Sequence, residues 1–417
     1  MNKRIILVHE KKEVPVVIKS NTIDVIAKAI KNKLRLSKDY KTFTLDGKEV
    51  DNTTKLENGQ KVLVAKNFST FNLKERYIEE DKQGSKVTII GKDLCKKEAI
   101  DAIYKLSRNK GVINVLALPD LTLMTPCPVG TEVTTEDLLY PSWIGNDIGC
   151  GVTLFELKTN GFNKQKAIKK LKENYTDKWN SEIARGERKY FHESDYFMDL
   201  DLKKHDPLFG SIGGGNHFCE IQECDGKYYI CVHSGSRSLG VDISEKFPNK
   251  FYTKDSKEAK HFMLLQNFGI MWAYYNRQSI ATRICATIGL KMGNRVTDLC
   301  HNFVTQEGNK FIHRKGAIPG NKGLAMIPGS RGTHSYLVKG LGTSSLPHGA
   351  GRKLSRKVAE ERFSQKNVPE PNVICRNKKL RYQEAPGAYK NIDDVISSLD
   401  DKVQIVKIFK PVLTYKV

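Results

Sequence analysis

No run of eighteen apolar residues occurs in this 417-residue chain, so no membrane-spanning helix is expected. The opening MNKRIILVHEKKEVP breaks off into charge too early for a secretory leader, and none is expected. Cysteine occurs nine times but never as C-x-x-C. Scattered thiols in odd number argue against a disulfide framework or a cysteine-rich zinc module, and fit a reducing, cytoplasmic setting. No internal repeat or low-complexity tract appears. Acidic residues are scarce: 47 against 69 lysines and arginines, leaving a formal charge of +22. That excess points to polyanionic partners, namely nucleic acid, nucleotides or an anionic membrane surface. What is present suffices for folding, because 39% hydrophobic and 9% aromatic residues exclude a disordered chain.

The length exceeds one ordinary core, so two domains, or one large domain with an appendage, are expected. Residues 5–8 and 14–18 are apolar runs separated by a charged turn and read as a hairpin. Asn21 or Thr22 suits a helix cap, and Ile23, Ile26, Ile30 and Leu34 follow at helical spacing. Phe43-Thr-Leu45, an Asp46-Gly47 turn and Val62-Leu-Val64 complete a ββαββ order. That order, with the turn at 45–50 and the stretch 54–64, resembles a β-grasp, ubiquitin-like module over 1–66. No Gly-Gly end follows it, so use as a conjugated tag is not expected. Residues 67–85 read as a polar linker. From 86 onward, short apolar runs (87–90, 112–118) alternate with helical stretches such as 164–174, and the chain as a whole reads as α+β. Lys166, Lys169, Lys170 and Lys172 read as a solvated helix face, and 403–417 as a final strand or two.

Five islands combine glycine with side chains that bind metals or anions. In Gly145-Asn-Asp147-Ile-Gly-Cys150-Gly151, an Asp and a Cys three apart on a turn can face one point. They form either a transition-metal pair or a tight turn with an inert cysteine. Gly213-Gly-Gly-Asn216-His217-Phe218, followed by Glu220, is either an anion cradle or a flexible hairpin with a structural histidine. His233-Ser-Gly-Ser-Arg237 superficially looks like a serine-hydrolase elbow, but its spacing and context do not match one. Cys300-His301-Asn302-Phe303 is weak alone. Pro328-Gly-Ser330 through Ser335, then His348-Gly-Ala350-Gly351-Arg352, forms the densest island. There, backbone donors and Arg352 could meet a phosphate, with His348 as hydrogen-bond donor or as nucleophile on phosphorus.

In this order, joined by Pro119-Asp120, Arg314-Lys-Gly-Ala317 and Ala388-Tyr389-Lys390, the islands resemble the RtcB-type RNA-splicing ligase family over 86–417. Each motif is weak alone, while the ordered set is specific. The resemblance implies a large mixed α/β catalytic domain with a central metal-binding cleft. It implies an RNA ligase that uses GTP and two Mn²⁺ ions. Such an enzyme joins RNA 3′-phosphate or 2′,3′-cyclic phosphate ends to 5′-hydroxyl ends, through a histidine–GMP intermediate and a GMP-activated RNA 3′ end, in RNA splicing or repair. Carried over by position, Asp147, Cys150, His217, His233 and His301 hold the metals, with Cys150 bridging, and His348 is the nucleophile. Asn216, Glu220, Ser330, Ala350, Gly351 and Arg352 hold the nucleotide phosphates. Phe218 and Tyr389 stack on guanine, Ser335 and Lys416 contact its edge, and Asp120 and Arg237 lie near the RNA ends. The implied partners are RNA ends (tRNA halves or ribosomal RNA), GTP and an archease-type activator, with a monomeric catalytic unit and no membrane.

The chain departs from the family at Leu121-Thr122, where Val-His is usual, and at Leu123-Met-Thr-Pro126, which replaces a glycine pattern. The stretch 158–210 is short, and Lys416-Val417 stands where Lys-Gly is usual. The changes at 121–126 bear on RNA-end handling or cyclic-phosphate opening more than on guanylylation. They leave two alternatives: a non-catalytic RNA- or ribosome-binding homologue, and a metal-dependent hydrolase of cyclic phosphates. His9, His192, His205 and His261 read as surface or core histidines, His313 and His334 as structural, and the cysteines other than Cys150 as buried free thiols. The positive charge is concentrated. Residues 1–66 hold 15 basic and 8 acidic residues, and 308–359 hold ten basic residues and no acid.

Overall fold

The structure, a computed structural model, describes residues 3–9, 12–18, 23–36, 39–44, 48–58, 60–66, 85–176, 199–365, 370 and 372–417. The chain divides into two compact units, Met1–Gly84 and Ser85–Val417. The expected cap at Asn21 or Thr22, the Asp46-Gly47 turn, nearly all of the 67–85 linker, residues 177–198 and His192 lie outside the described residues.

In the first unit, β1 (Lys3–His9) pairs antiparallel with β2 (Lys12–Ile18) and parallel with β4 (Lys61–Ala65). The strand β3 (Lys41–Phe43) lies on the far side of β4, giving the order β2-β1-β4-β3. A parallel pair needs a crossover, and α1 (Ile23–Leu34) lies within it. Ile26 and Ile30 of this helix pack on Ile5, Leu7, Val16 and Val62, the inward set of a half-buried sheet.

The second unit is built on an eight-stranded sheet. In spatial order its path is β13 (Lys291–Cys300), β9 (Gly151–Lys158), β11 (Lys227–Ser234), β10 (Phe218–Cys224), β21 (Val403–Lys416), β18 (Ser335–Gly340) and β17 (Leu324–Ile327). The strand β20 (Val373–Cys375) pairs with β21 off this path. A five-stranded sheet runs β14 (Asn302–Glu307), β15 (Lys310–Lys315), β7 (Val129–Glu136), β6 (Val112–Thr122) and β5 (Lys86–Ile89). Two short pairs complete the strands: β8 (Leu138–Leu139) with β12 (Tyr252–Thr253), and β16 (Ala317–Pro319) with β19 (Ser345–Pro347). The helices are α2 (Lys97–Ser107), α3 (Lys164–Asn174), α4 (Ser238–Glu245), α5 (Lys257–Ile288), α6 (Arg356–Phe363), α7 (Lys378–Gln383) and α8 (Ile392–Ser397).

The long helix α5 has legible ends. Ser256 caps it by accepting from the Ala259 N–H, and Gly289 stops it in the left-handed region at φ 78°. Leu171 of α3 and Ile280 and Ile284 of α5 pack on Ile221, Ile230 and Leu413 of the large sheet. Among the described residues, no helix is long and apolar enough to cross a membrane.

The last segment is one 14-residue strand. Lys170 is not purely solvated: its Nζ donates to the Ile288 carbonyl at 3.2 Å, at the C-terminal end of α5. All nine cysteines are free, but Cys95, Cys300 and Cys375 are half-buried rather than buried. His334 is exposed, so no interior role falls to it, whereas His313 is buried.

Candidate active site and metal centre

Four neighbouring antiparallel strands end on one row. Gly151 opens β9 opposite Cys300, His233 pairs with Val152 near the end of β11, and Phe218 opens β10 opposite His233. Side chains just outside these ends therefore converge: Cys150 before β9, His217 before β10, and His301 after β13. The Cys150 carbonyl accepts from the His301 N–H at 2.7 Å, which locks two of them together. Gly151 is required at this crossing, because an added Cβ would lie 2.5 Å from the Leu299 carbonyl oxygen.

Cys150 lies at the centre. Its Sγ is 3.4 Å from His217 Nε2 and 3.3 Å from His233 Nε2, and His233 Nε2 is 3.4 Å from His301 Nε2. His217 Nε2 is 2.8 Å from Asp147 Oδ2. Two groups with metal-ligand spacing result, Asp147–Cys150–His217 and Cys150–His233–His301, sharing the thiol. The sequence-expected metal residues are thus brought together.

Electrostatics fit a cation. Burial pushes the His233 and His301 imidazoles well below their ordinary value, so both stay neutral and keep a lone pair. Burial, reinforced by Asp147, pushes the Cys150 thiol well above its ordinary value without a cation. Burial also raises Asp147, but the His217 charge and hydrogen bonds from His217 and Cys150 outweigh it and hold the carboxyl low. His217 Nδ1 lies 3.0 Å from the Ile212 carbonyl and Nε2 lies 2.8 Å from Asp147 Oδ2, so both ring nitrogens face oxygen acceptors. Asp147 Oδ1 has no partner among the described residues. Converging lone pairs with an orphaned carboxylate oxygen are a donor set that a divalent cation completes.

A cavity of about 290 Å³ opens beside this centre, near the lower bound for a small-molecule site. His348 lines it, 4.7 Å from the His301 ring. The Asp120 Oδ2 accepts from His348 Nδ1 at 2.6 Å and from the His348 backbone N–H at 3.1 Å. A carboxylate only accepts, so Nδ1 holds the proton and Nε2 keeps its lone pair. Asp120 is wholly buried. Asp120, expected near an RNA end, thus lies behind His348.

Asn216, Phe218, Glu220, Ser330, Ala350, Gly351, Arg352, Tyr389 and Lys416 line the cavity, whereas Ser335, His217 and Arg237 do not. Ser335 is buried behind Glu220, and Gln222 Nε2 bridges Glu220 Oε1 at 2.9 Å and Ser335 Oγ at 3.1 Å. Burial raises the Glu220 carboxyl and pushes the Lys416 ammonium down to about 8. Lys416 donates to the His217 carbonyl at 2.7 Å and lies 5.9 Å from the Phe218 ring centre. Arg237 lies against His217, and its guanidinium fills the space where a Cβ on Gly213 would sit.

Arg352, expected at phosphate, has its guanidinium engaged by protein groups. Its Nε donates to the Leu354 carbonyl at 3.1 Å, Nη2 to the Gln383 carbonyl at 2.7 Å, and Nη1 to Glu384 at 3.0 Å and the Tyr389 hydroxyl at 3.2 Å. The guanidinium stacks 5.0 Å from the Tyr389 ring centre. It acts as a strut for the cavity wall. Arg356, bonded to Glu384 through Nε at 3.2 Å, also lines the cavity and is half exposed. Sequence reasoning missed Arg356 as a contact and Glu384 altogether. Arg356 lies four residues after the densest island, and only the fold shows which guanidinium is engaged. Lys315, inside the quoted Arg-Lys-Gly-Ala motif, also lines the cavity, its Nζ donating to the Cys127 carbonyl at 2.8 Å.

A family model described as tRNA-splicing ligase RtcB matches residues 181–417. The chain is 32% identical to an Escherichia coli protein named RNA-splicing ligase RtcB2, over 79% of this chain and 95% of the relative. It is 26% identical to RNA-splicing ligase RtcB of Escherichia coli K12, over 73% of this chain and 90% of that protein. The tRNA-splicing ligase RtcB of Nanoarchaeum equitans is 30% identical over 54% of this chain and 63% of its own length.

Proposed function

Because this chain belongs to the RtcB family and is an RNA ligase, we propose that it joins RNA 3′-phosphate or 2′,3′-cyclic phosphate ends to 5′-hydroxyl ends, using GTP and divalent manganese, with GMP carried on His348. The observation that carries this reading is the Asp120–His348 pair, which aims a bare imidazole nitrogen into a cavity beside the metal centre. Two cations held by Asp147, Cys150, His217, His233 and His301 would neutralise charge around the attacked phosphorus. Thiolate softness alone does not select manganese, so metal choice rests on geometry and supply, and zinc is an expected inhibitor.

His348 Nε2 attacks the α-phosphorus of GTP, and the bond to the β-phosphate oxygen breaks, releasing pyrophosphate. Asp120 keeps Nδ1 protonated and balances the cationic imidazole of the phosphoramidate. GMP then passes to the RNA 3′-phosphate and frees the histidine. The 5′-hydroxyl attacks the RNA phosphorus, with GMP as leaving group. Phe218 and Tyr389 bracket the base, and Glu220 and Lys416 supply an acceptor and a donor for its edge. For residues 1–66 we propose a β-grasp module, supported by the order β2-β1-β4-β3 with its parallel β1–β4 pair.

With manganese and α-labelled GTP, the protein should form an acid-labile adduct and ligate both 3′-phosphate and cyclic-phosphate RNA. His348→Ala should do neither. Labelling of that variant at the parent level refutes the nucleophile, and cyclic-phosphate opening without joining favours the hydrolase alternative.

A further inference from the structure

Asn276 and Arg277 sit side by side in α5 and are wholly buried. A buried guanidinium requires partners for its donors, and those of Arg277 all lead to the metal centre. Nη1 donates to the Gly149 carbonyl at 2.9 Å and the Ser234 carbonyl at 3.1 Å. Gly149 immediately precedes Cys150, and Ser234 immediately follows His233. Nε donates to Asp298 Oδ1 at 2.8 Å, and Nη2 to Asp298 Oδ2 at 3.0 Å. Asp298 pairs in register with Thr153, so this carboxylate straddles β13 and β9, the strands that lead to His301 and Cys150.

Asn276 grips the other side. Its Nδ2 donates to the Gly235 carbonyl at 3.0 Å and to Ser234 Oγ at 3.1 Å. Ser234 Oγ donates in turn to the Ile212 carbonyl at 2.9 Å, the same carbonyl that holds His217 Nδ1. The helix also presses on the ligand loop directly, because a Cβ on Gly149 would lie 2.8 Å from Ile270 Cα.

We propose that Arg277, with Asn276 beside it, is the positioning residue of the metal centre: it fixes the spacing between the Cys150 turn and the His233 strand end, and so sets affinity for divalent cations. The proposal rests on reading the Cys150 cluster as a metal site. Without the guanidinium, the Gly149 and Ser234 carbonyls lose this donor and, among the described residues, Asp298 keeps only the Thr153 hydroxyl. They separate, and Cys150 and His233 move with them. Lysine supplies one charge but not a fork that reaches the two carbonyls and the Asp298 carboxylate at once.

The test titrates the full chain with Co²⁺ and Mn²⁺, following thiolate-to-cobalt absorption and bound metal by equilibrium dialysis. The variants are Arg277→Lys and the double replacement Arg277→Met with Asp298→Leu, which removes the ion pair without leaving one charge stranded. Each folded variant should bind metal about 10- to 100-fold more weakly, with an altered cobalt spectrum. Unchanged affinity and spectrum in the folded double variant overturn the positioning role alone. If the parent binds neither metal, or Cys150→Ser binds as the parent does, the metal reading itself falls and this proposal with it.

Discussion

His348 and His313 are both held by hydrogen bonds, and their surroundings give them opposite tasks. His348 faces a carboxylate and keeps one nitrogen toward a cavity. His313 is sealed in: Nε2 accepts from the Tyr140 N–H at 2.9 Å, Nδ1 lies 3.2 Å from the Val133 carbonyl, and aromatic rings surround it. Burial pushes His313 down from 6.5 to about 4. The unfolded chain therefore binds a proton that the folded protein refuses between those values. Stability is complete above pH 6.5 and falls as the pH drops toward 4, by on the order of 3 kcal/mol from this group. Denaturant midpoints measured from pH 7 to 4 should fall less steeply in His313→Gln than in the parent, and parallel curves would refute the assignment. Flanking glycines marked the islands locally, but the ligand set was legible only through the ordered resemblance to the family. Asp120 was legible only as a motif member. Its partner is 228 residues away, and no spacing reveals that its carboxylate bonds His348.

At the scale of elements, the metal centre is a property of strand ends. Sequence reading located short apolar runs and one helix at its observed bounds, 164–174, because amphipathic periodicity is local. It did not give the order β13-β9-β11-β10, which depends on non-local pairing, nor the task of α5, whose Arg277 reaches Gly149, 128 residues away. The tight β9–β13 crossing makes a testable claim. Gly151→Ala places a methyl 2.7 Å from Cys300 Cα and must push the two strands apart where Cys150 and His301 leave them. It should cost about 1–3 kcal/mol in overpacking and weaken metal binding by at least about 10-fold. Gly161→Ala, which meets nothing within 4 Å, should leave both unchanged. Equal losses in the two variants, read by calorimetry and metal titration, would show that strand spacing is not the cause.

At the scale of the whole molecule, the charge of +22 is divided unevenly. The segment 308–359 carries ten basic residues and no acid, and it contains Lys315, Arg331, His348, Arg352 and Arg356, all on the cavity wall. Some of this charge is already answered: Glu384 takes Arg352 and Arg356, and Glu370 takes Arg331. Formal charge therefore overstates what a polyanion meets at the site. Residues 1–66 carry 15 basic against 8 acidic residues. We propose that module as a second, salt-sensitive grip on RNA. Each phosphate neutralised on a single strand contributes a slope of about −0.7 to log affinity against log salt. A chain of residues 85–417, which keeps its own cores, should bind single-stranded RNA with a salt slope shallower by about 2, as expected if three module side chains contact phosphate. Its rate of GMP-adduct formation should match that of the full chain, since a free nucleotide needs none of those contacts. Filter binding across a salt series tests the first expectation and labelling tests the second. An unchanged slope would place the whole electrostatic grip in residues 85–417, and the excess charge of the module would then serve something other than RNA.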